Sequence, residues 1–121
     1  MHPTQAEVLK FVAWARPCLG ITDPIRILLV NRSLPGTFGY FEPHSQKIVV
    51  SMLNRHPTDV IRTVAHELVH RAQHQQQPLS SEDGTTGSDV ENQAKALAGI
   101  LMRMRSMNNL RMISVQGESS S

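Results

Sequence analysis

The sequence predicts one α+β domain over residues 1–113: an N-terminal helix, a small and mostly antiparallel sheet of about three strands, and two further helices. Three observations lead there. Apolar residues recur at helical spacing in three separate stretches, short β-branched runs lie between the first and second of these, and Pro, Gly, Asn and Ser clusters punctuate the boundaries. A chain of 121 residues is long enough to bury one modest core. Hydrophobic residues make up 40% but aromatics only 4%, so that core has to be aliphatic, with Met filling gaps.

The first helix is expected over Gln5 to Arg16. Thr4-Gln5-Ala6-Glu7 has the form of a capping box, with Val8, Phe11, Val12 and Ala15 on one face and Pro17 and Gly20 marking the end. Ile25 to Val30 reads as a short buried strand. After a turn at Leu34-Pro35-Gly36, the strand patterns Thr37–Glu42 and Lys47–Met52 flank four turn-forming residues, Pro43 to Gln46, and predict an antiparallel hairpin. Gly39 either weakens its strand or lets another backbone come close. A second helix starts near His56-Pro57-Thr58, with Thr58 as cap and Asp59 in the first turn, and runs to about Gln77 before Pro78. Leu79 to Gly87 is a polar loop. Ser88-Asp89-Val90-Glu91 opens the last helix, with Val90, Ala94, Leu97, Ala98, Leu101 and Met104 on one side. Residues 114–121 have too little apolar content to order themselves and are expected to be a tail.

Composition narrows the function classes. No apolar run reaches the roughly 18–20 residues of a membrane span, so no membrane partner is expected. Met1-His2-Pro3-Thr4 lacks the start of a secretory signal, and a single cysteine, Cys18, forms no internal disulfide; together they point to a reducing, cytoplasmic setting. A net charge of +2 without a basic block does not imply nucleic-acid binding. Lys95, Arg103, Arg105 and Arg111 do follow one another with no acid from Asn92 to Gly117. They read as a solvated face with cations favourable near a helix C-terminus, or else as an anion-binding patch. Four of the six Met fall between Met102 and Met112, as core filling or as a surface for a protein partner.

The stretch that carries chemistry is His66-Glu67-Leu68-Val69-His70. Residues four apart on a helix stand one above the other, so the two imidazoles can meet one zinc ion, at N–Zn distances of about 2.0–2.1 Å. Glu67 lies on the flank, within reach of a water on that metal. Ile61, Ala65, Leu68, Val69 and Ala72 form the buried arc, and both His fall at its edge, where a cleft can reach them. A third donor is needed. His74 stands about 12 Å along the axis from His66 and is too far. Asp89 and Glu91 remain at the start of the last helix. Glu91 is favoured, because it shares an edge with Ala94 and Ala98, small residues that permit close helix packing, whereas Asp89 points away. Ser88-x-x-Glu91 is also a capping box, so the alternative role of Glu91 is to cap its own helix.

His66-Glu67-Leu68-Val69-His70 followed by Glu91 resembles the gluzincin arrangement. Glu91-x-x-Ala94-x-x-x-Ala98-x-x-Leu101-Met102 is similar to the second helix of small minigluzincin-like and ImmA/IrrE-type peptidases, although Arg103 stands where the latter usually carry Pro. SprT-like peptidases are a more distant likeness, and no His follows His74 to supply their third His ligand. The resemblance spans roughly residues 36–104 and implies a minimal zincin-like fold, a zinc cofactor held by His66, His70 and Glu91, and hydrolysis of a peptide or protein substrate. Glu67 would then act as general base and afterwards as acid. Thr37 to Phe41 would pair with an extended substrate, and Tyr40, His74 and Arg71 are the candidate oxyanion donors. The rival expectations are a zincin-shaped module that binds zinc or peptide without turnover, and a structural domain with a fortuitous motif.

Overall fold

The computed structural model describes residues 3–76 and 89–119, with side chains over 4–76 and 89–107. Its elements are α1 (Pro3–Cys18), β1 (Arg26–Val30), β2 (Gly39–Glu42), β3 (Lys47–Ser51), α2 (Pro57–Gln76) and α3 (Asp89–Ser119). Over the described residues this is an α+β architecture of three helices and a three-stranded mixed sheet. Pro78, the loop 79–87 and the Ser88 cap fall outside the described residues, as do the side chains of Arg111 and Met112. α3 takes in most of the segment that composition sets apart as a tail.

Helix α1 begins earlier than the capping-box pattern suggests. Pro3, with its fixed φ, suits a first turn, and Thr4 is buried inside the helix at 3% exposure. Pro17 sits within the last turn and does not end it. The stop is a Schellman closure at Gly20, whose φ is +68°: Gly20 N–H donates to the Pro17 carbonyl and Ile21 N–H to that of Arg16, each at 3.1 Å.

The sheet order is β1-β3-β2. The hairpin forms as expected, with Glu42 opposite Lys47 across the four-residue turn. β1 does not pair with β2; it crosses to run parallel to β3, so the sheet is mixed rather than mostly antiparallel. The centre goes to β3, the strand with the strongest apolar run, whose Ile48, Val49 and Val50 are 0–1% exposed. β1 is consequently an edge strand, with Leu28 47% exposed, and not the buried strand its composition suggests. Alternation turns Gly39 and Phe41 of β2 and Ile48 and Val50 of β3 towards α2.

Helix α2 packs against α1, β2, β3 and α3 at once. Its cap is His56, not Thr58: the ring Nδ1 accepts the Thr58 N–H at 3.1 Å, and Pro57 occupies the first helical position, where its missing N–H costs nothing. Val60, Val64, Ala65, Leu68 and Val69 are fully buried. β2 closes on the helix at Gly39, where a Cβ would stand 2.7 Å from Thr63 Cγ2 and 2.9 Å from the Val49 carbonyl oxygen. Only glycine lets the edge strand and the helix approach this far. From α3, Ala94, Ala98 and Leu101 enter the same core, the two small alanines bringing the helix close, while Met104 turns outwards at 46% exposure. No described helix is long and apolar enough to cross a membrane.

Candidate metal centre

Two elements far apart in sequence bring three donors together. α2 offers His66 and His70 one turn apart, their rings 4.8 Å between centroids and nearly perpendicular. Glu91, in the first turn of α3, reaches across between them. Its Oε1 lies 2.6 Å from His66 Nε2 and its Oε2 3.1 Å from His70 Nε2. One donor atom from each residue falls within 4.8 Å of the others. Donors around a tetrahedral zinc are separated by about 3.3 Å, so the group is already near the required spacing. Asp89 is exposed and outside this group. His74 leans on Phe41 with ring centroids 5.4 Å apart, turned towards the sheet.

A residue to which the sequence assigned no role completes the arrangement. Gln73 Oε1 accepts the Nδ1–H of His70 at 2.9 Å. The orientation of that amide is fixed, because its Nε2 donates to the Val90 carbonyl at 3.1 Å and to Gln93 Oε1 at 2.6 Å. With the His70 proton on Nδ1, its Nε2 presents a lone pair to a carboxylate oxygen. Two acceptors cannot satisfy each other; a cation or a proton has to lie between them. Gln73 is one turn on from His70 and links α2 to the start of α3, so the i, i+3 spacing was the available signal. We expect Gln73→Ala to weaken zinc binding about 10- to 100-fold, as loss of a ligand-orienting partner typically does, in a competition titration against a chromophoric chelator.

Electrostatics point the same way. Burial pushes the His66 pKa below its ordinary 6.5, outweighing the opposing pull of Glu91; His70 and Lys95 add to the lowering. The neutral form thus favoured is the one that ligates a metal. Glu67 is 7% exposed. Burial first, and then the charge of Glu91, raises its pKa from 4.5 to about 8.

The Glu67 value fixes a sign. In metal-free protein the folded carboxyl keeps its proton to about pH 8, whereas the unfolded one loses it near 4.5. The folded state therefore binds more protons in that window, and its stability falls as pH rises through it, by roughly 1.4 kcal/mol per pH unit at most. His66 contributes the opposite slope below 6.5, so the comparison must be with a Glu67→Gln variant. Urea unfolding of chelator-treated protein at pH 5 and pH 8 is expected to show that the variant loses less stability than wild type.

Two of the oxyanion candidates are not near the donors. Tyr40 alternates with Gly39 and Phe41 and therefore faces away from α2. Arg71, 2% exposed, reaches from another side of α2 towards Asp23 Oδ2, at 3.5 Å. Comparison with known families, curated proteins and solved structures finds no match to this chain. Any functional reading therefore rests on the residues themselves.

Proposed function

We propose that this protein is a small zinc-dependent metallopeptidase with a minimal zincin-like fold, in which His66, His70 and Glu91 hold the metal and Glu67 is the proton carrier. The observation that supports it most is the convergence of two imidazole nitrogens and a carboxylate on one point, with a buried, proton-holding Glu67 beside them. The donor chemistry fits zinc, which takes two His and one carboxylate and leaves a position for water. Zinc in such a set lowers the pKa of its water towards neutrality and polarises a carbonyl.

The chain's own residues supply the rest. Gln73 holds the His70 ring so that Nε2 faces the centre. A positive charge nearby draws the Glu67 pKa down from about 8 into the range where a carboxylate exchanges protons at neutral pH. Glu67 takes the proton of the attacking water as its oxygen bonds to the carbonyl carbon, and returns it to the departing amine as the C–N bond breaks. β2 is an edge of the sheet lying directly against α2, so an extended peptide can add to it by backbone hydrogen bonds. The unpaired thiol of Cys18 suits a reducing, cytoplasmic compartment.

The test is cleavage of a broad quenched-peptide library by zinc-loaded protein. We expect hydrolysis that stops on chelation and returns with added zinc. Zinc retained without any cleavage would instead favour a module that binds zinc or peptide without turnover.

A further inference from the structure

The metal donors stand at one end of a groove between α2 and α3 with a volume of about 490 Å³. His66 forms part of its wall, so the groove reaches one of the three donors. Its remaining walls have a composition that proton transfer and metal binding do not require. Arg62 comes from α2, Lys95 and Arg103 come from α3, and Ala98, Gly99 and Met102 form the apolar part; among the described residues no acid lines it.

Helical spacing explains why the cations meet. Arg62, His66 and His70 stand four apart on α2, and Glu91, Lys95, Gly99 and Arg103 four apart on α3. The helices run in opposite directions, so the donors gather at one end and Arg62 with Arg103 at the other. Lys95 lies between and adds its charge to the field at His66. Among the described residues none of the three cations has an ion pair or hydrogen bond. Arg105, the next cation along, instead lies over the Trp14 ring at 5.7 Å, on another side of α3. Three unneutralised positive charges around one concavity repel each other, and an anion between them removes that repulsion.

We propose that this groove is a substrate subsite for a peptide carboxylate, seating an aspartate or glutamate side chain close to the bond to be cut. The occupant is a peptide because the groove combines its cations with an apolar wall and, among the described residues, has no Phe, Tyr or Trp on which a nucleobase would stack. A volume of this size takes one or two side chains beside a backbone. The position of the cleaved bond rests on the metallopeptidase reading; the preference for a carboxylate does not.

Binding tests it without requiring turnover. Fluorescent octapeptides of one framework, carrying a single Glu, Gln or Lys and either a free or an amidated C-terminus, are titrated onto Glu67→Gln protein with and without zinc. A single-stranded octanucleotide is included. We expect the Glu peptide to bind about tenfold tighter than its Gln twin and the Lys peptide weakest, with the gap narrowing as salt rises. In the additional double variant Lys95→Gln/Arg103→Gln, the gap should shrink below about twofold with zinc content unchanged and thermal melting no lower, since both side chains are exposed. A preference that follows the free C-terminus supports the carboxylate subsite and assigns it to the peptide end. Equal binding of Glu and Gln peptides, a gap that survives the double variant, or an octanucleotide bound tighter than every peptide would overturn it. Failure of wild type to take up zinc or cleave peptides would remove the hydrolase reading and leave this comparison readable.

Discussion

Glu67→Gln is expected to lower peptide-cleaving kcat/KM by about 10²- to 10⁴-fold, the usual contribution of a positioned general base, with zinc content unchanged. The argument is geometric and electrostatic together. Glu67 follows His66 on α2 and is buried within the field of Glu91, so it is beside the donor group without belonging to it. Its burial disfavours the anion, and a neutral amide of the same shape satisfies that enclosure as well as a protonated carboxyl does. The variant should therefore fold, and in metal-free form should be the more stable of the two at neutral pH. Loss of zinc together with activity would show instead that Glu67 helps hold the metal.

Glu91→Gln is expected to weaken zinc binding by roughly 10²-fold or more while leaving the helix content of the metal-free protein unchanged. This substitution separates the two roles that the sequence leaves open. In a capping box, Gln serves at the third position as well as Glu, so a capping role survives the change. A ligand role does not, because the anionic oxygens that meet His66 at 2.6 Å and His70 at 3.1 Å become a neutral amide. Competition titration reads the first quantity and circular dichroism the second. Intact zinc affinity would return Glu91 to the status of a cap.

Local pattern made the helices and the hairpin legible, because apolar spacing and turn residues act over a few positions. The parallel pairing of β1 with β3 was not, since the choice of a strand's neighbour depends on which strand is apolar enough to take the centre, here β3. The start of α2 offered two competing caps, and Pro57 decided between them by taking the first helical position and leaving His56 outside. At the candidate site, the His pair followed from i, i+4 spacing, and Glu91 from the small Ala94 and Ala98 that let α3 approach. The burial of Glu67 did not follow. On a helical wheel it lies outside the apolar arc, one turn on from Thr63, the α2 residue that β2 approaches at Gly39. The cationic groove was equally hidden: Arg62 and Arg103 are remote in sequence, and only the opposed directions of α2 and α3 bring them together.

The central claim, that these residues form a zinc centre, is tested most directly by titrating metal-free wild-type protein with zinc against a chromophoric chelator, beside a His66→Ala/Glu91→Gln variant. One zinc per chain bound by wild type and none by the variant is the predicted result. No uptake by wild type, or uptake that the variant matches, would contradict it.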